Sequence, residues 1–263
     1  HLWSRETLTA SLCGLRFEVS PYSFFQVHKE QAEILYEKAL AYADLKGGET
    51  VIDAYCGTGT ISLCLAKKAK RVIGIEIVKS AIEDAKKNAK MNHMENTEFY
   101  AADAGKFMPQ LYRKGLVPDV IVMDPVRAGC SEEVLKAAAG MNPKRIVYVS
   151  CNPATFARDA KILKSEGYEI KEVQPVDMFP QTMHVETVCL LVLRNPVTHI
   201  NIDVDVEELV QDKRGRATYG QIQEYVKEHT GLNVTNLNVT QTKRKCGIIE
   251  RENYNLPKLE DSK

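Results

Sequence analysis

Five short stretches of the chain set reactive side chains at the ends of apolar runs: DAYCGTGT (53–60), GIEI (74–77), MDPVRAGC (123–130), SCNPATFARD (150–159) and FPQTMHVETV (179–188). Cys151 directly follows RIVYVS and precedes an amide and a proline, whereas a free cysteine is ordinarily a small buried hydrophobe. A thiol at such a strand exit suits nucleophilic addition. One reaction demands this set of groups. A pyrimidine C5 is too weak a nucleophile to take a methyl group unaided, but a thiolate added to C6 turns the ring into an enolate. A base then removes the C5 proton and the thiol is expelled. The crevice must therefore hold a cysteine, a carboxylate, an oxyanion donor and a methyl donor. Cys151 is the candidate thiol, Glu186 beside His184 the candidate general base where a lone strand-start glutamate would only be solvated, and Arg127 or the Asn152 amide the candidate oxyanion donor. A free thiol of pKa near 8.5 carries an ionisation deficit of about 2 kcal/mol at pH 7. One oxyanion donor is worth about 2.7 to 4 kcal/mol, so stabilising the enolate outweighs depressing the thiol pKa. Among the other cysteines, Cys64 and Cys189 lie on core-facing positions, Cys56 packs in a glycine turn, and Cys130 is the rival nucleophile on position alone.

The glycine turn is where a cofactor is expected. Gly57 and Gly59 let the backbone turn tightly between a strand and a helix, and Glu76 stands 17 residues after Gly59, where an acid accepts ribose hydroxyls. Ser62 occupies the third position of a G-x-G-x-x-G fingerprint, which favours S-adenosylmethionine over a dinucleotide. Asp103 is placed either for an adenine amino group or as a helix N-cap. Asp124 and Arg127 face the same crevice. Amino-group methyltransferases carry a proline and an aromatic where this chain has Val126 and Arg127. An arginine suits a phosphate or a developing oxyanion, or pairs with a carboxylate to pin the loop.

These residues need a scaffold that brings strand ends together. Residues 50–194 alternate β-branched apolar runs with amphipathic stretches, which predicts a doubly wound, Rossmann-like α/β sheet. The last two strands follow one another without a helix, so the final one is expected antiparallel, the ending of class I methyltransferases rather than of dinucleotide folds. Residues 1–48 form a lead-in with a β-like LRFEVS and a helix from about Lys29 to Ala43, residues 49–195 the main domain, and residues 196–263 an extension. In the extension, Thr218 to Gln221 reads as a capping box opening one helix. Thr235 caps a second that carries Lys243, Arg244 and Lys245, a helix-turn-helix-like module whose basic patch Lys213, Arg214 and Arg216 would extend. A solvated charged face is the alternative.

Composition excludes several classes. The 263 residues, 44% hydrophobic and 27% charged, suffice for a full core, and 35 basic against 35 acidic residues give no net charge to draw a polyanion. Seven irregularly spaced cysteines without a C-x-x-C pair argue against a disulfide framework or a zinc ribbon and for a reducing, cytoplasmic setting. No run is long enough to span a membrane, and no signal peptide opens the chain. It begins at His1 rather than Met, which reads as a piece of a longer protein.

In order and spacing, SPYSFFQVH, DAYCGTGTISL, GIE, MDP-x-RAGC, SCNPATFARD and FPQTMHVETV resemble the RumA/TrmA family of RNA uridine-C5 methyltransferases over residues 11 to 194, most like its 23S rRNA branch. The resemblance implies Cys151 as nucleophile, Glu186 as proton acceptor, and Gln26, Tyr55, Glu76 and Asp124 as S-adenosylmethionine contacts. It puts Phe24 or Phe25 near the target base and 23S rRNA as partner, and it implies neither a protein partner nor a membrane. A tRNA substrate, or an RNA-binding protein that keeps the fold without turnover, are the alternatives. Three departures matter. Val126 replaces the second proline of D-P-P-R, which frees one φ angle in the loop of Arg127. The family's N-terminal OB-like domain and the iron–sulfur cluster of many members have no counterpart here, so the chain reads as a catalytic fragment without its main RNA platform. The extension is not part of the common core.

Overall fold

Along each central apolar run, successive side chains point to opposite sides, and in the computed structural model of the chain both sides are covered by helices. The structure describes residues 8–20, 24–182, 184–194 and five positions between 220 and 228. In chain order the elements are β1 (Leu8–Leu12), β2 (Leu15–Val19), α1 (Lys29–Ala43), β3 (Thr50–Asp53), α2 (Thr60–Ala66), β4 (Arg71–Glu76), α3 (Lys79–Met91) and β5 (Thr97–Ala101). They continue with α4 (Ala104–Arg113), β6 (Val120–Met123), α5 (Glu132–Gly140), β7 (Arg145–Ser150), α6 (Pro153–Ser165), β8 (Tyr168–Val176) and β9 (Glu186–Leu193). Seven strands form one sheet in the order β5-β4-β3-β6-β7-β9-β8. The strands from β5 to β7 are parallel, and β9 runs antiparallel to both β7 and β8. This is the expected doubly wound α/β sheet with a reversed strand near its end.

Val51, Val72, Val122 and Val147 face α1, α2 and α3, while Ile52, Ile73, Ile121 and Ile146 face α4, α5 and α6. A one-residue slip of any strand would exchange the two faces, so burial on both sides fixes the register. The helix α1 occupies the residues expected of it. Its carboxyl end is held at the start of β7, where Arg145 pairs with Asp44 at 3.0 Å and donates to the Ala43 carbonyl at 3.4 Å. Fifteen residues of helix span about 22 Å and six of strand about 20 Å, so the amino end of α1 reaches the far end of β7.

Two features differ from the sequence reading. LRFEVS is half of a hairpin whose other strand, LTASL, pairs with it through a two-residue turn. Cys13 and Gly14 both adopt positive φ there (51° and 71°), the turn that matches strand twist. The hairpin docks on α3 through two asparagines four residues apart. Asn88 accepts from the Glu18 amide (2.8 Å) and donates to its carbonyl (3.3 Å), and Asn92 does the same with Arg16 (2.9 and 2.6 Å). Four helical residues rise about 6 Å and two strand residues about 6.6 Å, so the amides meet alternate backbone groups of β2 as a third strand would. The other is the extent of α4: Asp103 opens it, one of the two roles expected of that residue, and Pro109 interrupts its apolar period.

Contacts divide the chain into His1–Val197 and Thr198–Lys263. In the second unit Gly220, Gln223, Glu224, Lys227 and Glu228 are helical, within the stretch expected as the first helix of the extension. The proposed second helix with Lys243, Arg244 and Lys245, and the basic residues Lys213, Arg214 and Arg216, lie outside the described residues. Among the described residues no helix is long and apolar enough to cross a membrane.

Candidate active site

The chain leaves β3 toward β4 on one side and returns to β6 on the other, so a crevice opens above the carboxyl ends of these two neighbours. The glycine turn after β3 forms its floor. Gly57 has φ 53° and no atom within 4 Å of where a Cβ would sit, which leaves its backbone open to a ligand. Gly59 has φ 83°, and a Cβ there would press at 3.2 Å on Ala85 and on the ring of Phe99. At the end of β4, Glu76 accepts from the Gly57 amide (3.3 Å) and the Val78 amide (2.9 Å), so it braces the turn. Asp103 caps α4, accepting from the Lys106 amide at 3.1 Å, and its side chain is exposed at the same end of the sheet.

Two acids crowd the crevice with little to balance them. Asp53 is fully buried and takes a 2.6 Å hydrogen bond from Ser62 on one oxygen. Burial pushes its carboxyl up to about 6 despite that bond, and the charge of Glu76 adds to the rise. Asp124, just beyond β6, keeps a narrow opening to solvent yet is packed deeply enough that burial, and then the charges of Glu186 and Asp53, push it up to about 7. Among the described residues, the buried side-chain polar atoms without a hydrogen-bond partner are Asp53 Oδ1 and Thr58 Oγ1, both at the glycine turn. A buried carboxylate oxygen and a hydroxyl without partners fit a cationic ligand that brings its own donors, as S-adenosylmethionine does. Sequence reading passed over both. Asp53 opens the DAYCGTGT motif, and an acid ending the strand before a glycine turn was the available signal.

The thiol and the carboxylate come from adjacent strands. Ser150 pairs with Thr187 across β7 and β9, so Cys151 and Glu186 flank the same end of that ladder. Glu186 is also paired with Val176 of β8 and is 6% exposed, and burial raises its carboxyl above the usual range. Cys151 is half-buried. Its thiol is pushed up by burial and then by the charges of Glu186 and Asp124, while Arg127 pulls it down. Cys151 and Glu186 thus meet at one ladder end, with Asp124 and Arg127 near enough for their charges to act on the thiol. Cys130, by contrast, is buried in the core among α5 and α6, with its thiol pushed up to about 11 by burial. Cys56, Cys64 and Cys189 are buried as well.

The sharp exit from β7 has a local cause. Ser150 Oγ donates to the Asn152 carbonyl (3.0 Å) and accepts from its amide (3.1 Å), Asn152 Oδ1 caps α6 at the Ala154 amide (3.0 Å), and Pro153 starts the helix. The carboxamide oxygen of Asn152 is thus committed to the cap. Arg127, exposed on the loop after β6, reaches His184 Nδ1 at 3.3 Å. Next to this loop, Arg158 of α6 pairs with Asp159 at 2.7 Å.

Ahead of α1, Gln26 is buried, and the Phe25 ring packs on Phe17 at 6.0 Å between centroids. Phe24, by contrast, is 78% exposed. Tyr55 is half-buried against the core on the α4 to α6 side.

The sequence profile described as tRNA (uracil-5-)-methyltransferase matches residues 3–194. An uncharacterized RNA methyltransferase of Listeria innocua is 54% identical over 193 residues, covering 73% of this chain and 43% of its own length. One from Oceanobacillus iheyensis is 55% identical over 193 residues, with 73% and 42% covered. The chain thus spans a little over two fifths of these curated relatives. Among solved structures, Pyrococcus abyssi tRNA (uracil-54, C5)-methyltransferase in complex with S-adenosyl-L-homocysteine superposes with a TM-score of 0.62 at 37% identity, over 72% of this chain and 45% of that one. A SAM-dependent methyltransferase from Agrobacterium tumefaciens shares the fold at 19% identity, TM-score 0.56, over 72% and 71% of the two chains.

Proposed function

Because the chain belongs to the tRNA (uracil-5-)-methyltransferase family, we propose that it is the catalytic part of an RNA methyltransferase that places a methyl group on C5 of a uridine. The observation that carries this reading is the junction of Cys151 and Glu186 at the end of one antiparallel ladder, beside Asp124 and Arg127. S-adenosylmethionine, when bound, supplies the electrophilic methyl group. Its sites would be the Gly57–Gly59 turn, Glu76, Asp103, Asp124, Gln26 and Tyr55, with Asp53 Oδ1 and Thr58 Oγ1 as further acceptors.

The residues of the chain do the rest. The target base is flipped into the crevice and rests against Phe24, which is exposed for stacking. The Cys151 thiolate adds to C6, and the C5–C6 π electrons move onto the ring oxygen as an enolate that Arg127 stabilises. Once C5 carries the methyl group, Glu186 removes the C5 proton, and the returning electrons expel the thiolate from C6. A carboxyl held above its usual range is a stronger base, which suits Glu186 to that step.

The RNA is 23S rRNA on the strength of the sequence motifs, in a reducing cytoplasmic setting. A tRNA substrate is the second reading, favoured by the 37% identity to the Pyrococcus abyssi enzyme. Labelled methyl transfer to rRNA and to tRNA from cells lacking the protein separates the two. Cys151→Ala is expected to abolish transfer to either RNA while S-adenosylhomocysteine binding, followed by calorimetry, persists. A Cys151→Ala protein as active as the parent refutes the thiol mechanism.

A further inference from the structure

The loop from Val126 to Cys130 carries the arginine proposed to face the reacting ring, and it lacks the proline that would stiffen it. Its backbone is held instead by side chains of α6. Thr155 Oγ1 shares its one proton between the Asn152 carbonyl at 3.0 Å and the Arg127 carbonyl at 3.3 Å. Arg158 Nη2 donates to the carbonyls of Ala128 (2.9 Å) and Cys130 (3.1 Å). Asp159 Oδ2 accepts from the Cys130 amide at 2.7 Å and from the Tyr148 hydroxyl at 2.6 Å. Its other oxygen takes Arg158 Nε at 2.8 Å, which locks the guanidinium that holds the carbonyls. Asp159 is fully buried. The fit leaves no slack: Gly129 has φ 76°, and a Cβ on it would come within 2.5 Å of Asp159 Oδ2 and 2.7 Å of Arg158 Nη2. A buried carboxylate with three donors, one of them a fixed fork, thus anchors the buried end of a loop whose first three residues, Val126 to Ala128, are exposed.

We infer that Asp159 and Arg158 are positioning residues that fix the Arg127 guanidinium at the thiol of Cys151, doing through side chains what a second proline would do through the backbone. The inference rests on the proposed function for the roles of Arg127 and Cys151, and it adds a reason for the spacing within SCNPATFARD. Cys151 immediately precedes the α6 cap, and Asp159 and Arg158 lie two turns along the same helix. Nucleophile and clamp therefore move as one body, and the arginine is referenced to the thiol whatever the rest of the loop does.

The test reads the thiol directly. Alkylation of Cys151 by iodoacetamide, followed by peptide mass spectrometry from about pH 6 to about pH 10, reports its thiolate fraction. The charges facing it are Glu186 from β9, Asp124 from the end of β6, Arg127, and His184 next to Arg127. Arg127→Ala is expected to slow alkylation near pH 7 by about two- to fivefold, the scale of a partly solvated charge pair. Asp159→Asn should slow it in the same direction, and Arg158→Lys, which keeps the charge but loses the fork, should do so less. The decisive comparison is the Asp159→Asn, Arg127→Ala double variant: alkylation equal to that of Arg127→Ala alone supports action through Arg127, and an additive effect overturns it. Tyr148→Phe removes a bond to Asp159 without freeing the loop, and is expected to lower the thermal midpoint with alkylation unchanged. If Asp159→Asn and Arg158→Lys likewise lower the midpoint but leave alkylation at the parental rate, the residues are structural only and the inference falls. Failure of the proposed function would show separately, as methyl transfer that survives Cys151→Ala.

Discussion

The carboxyl of Asp124 is held at about 7 in a crevice where the nearest charges are other acids, so the fold stores electrostatic work there. Asp124→Asn removes the charge with little change in shape. A shift from 3.8 to about 7 corresponds to a ceiling of about 4 kcal/mol, and the narrow opening to solvent and the sharing of repulsion with Glu186 and Asp53 reduce it to about 2 kcal/mol. The sign follows from linkage. With the folded pKa above the unfolded one, the native state binds more protons between about pH 4 and about pH 7, so this group's stabilisation is full below that window and is lost as pH rises through it. Urea unfolding should find Asp124→Asn more stable than the parent by about 2 kcal/mol near pH 8.5 and no more stable near pH 4. A gain of equal size at both pH values, or a loss at the higher one, would refute the electrostatic account. Binding of S-adenosylmethionine should weaken in the variant, and in the parent it should tighten as pH rises through about 7 because the sulfonium relieves the repulsion. The uncharged thioether product should show a weaker pH trend.

Gly74→Ala would set a Cβ 2.5 Å from Phe99 Cδ1 and 2.9 Å from Cys56 Sγ, so it should cost about 1 to 3 kcal/mol and weaken S-adenosylhomocysteine binding. Adding Phe99→Leu should recover part of both, as read by urea unfolding and calorimetry. Asn88→Ala strands the Glu18 amide and the Thr58 carbonyl, to which Asn88 also donates at 3.2 Å, and should cost about 2 kcal/mol with faster amide exchange in β2. Glu186→Gln should still form the thiol bond but not release it, so a denaturant-resistant RNA adduct should accumulate on gels.

The short β-branched apolar runs made the central strands legible, and the lack of a helix between the last two announced the reversed strand. Cys151 and Glu186 could be named because each breaks the habit of its segment, and the structure brings them to one ladder end. Other parts depend on distant partners. LTASL is short and half polar, and only pairing to β2 makes it a strand. Asn88 and Asn92 read as the wet side of a helix until the hairpin edge meets them. Asp159 sits in a helix whose charged pattern predicts solvent, yet it is buried because Tyr148, Cys130 and Arg158 converge on it. The proton held by Asp53 or Asp124 follows from burial and neighbouring charge, which spacing along the chain does not record.

The reversed strand has a consequence for how the site is held. Were β9 parallel to β7, its first residue would lie at the opposite margin of the sheet, about 20 Å from the thiol. Running the other way, it begins where β7 stops, and Glu186 is gripped on one flank by Val176 and followed by Thr187 opposite Ser150. The separation of acid and sulfur is therefore set by strand pairing on both flanks of β9, and does not depend on the connection from β8 that delivers Glu186.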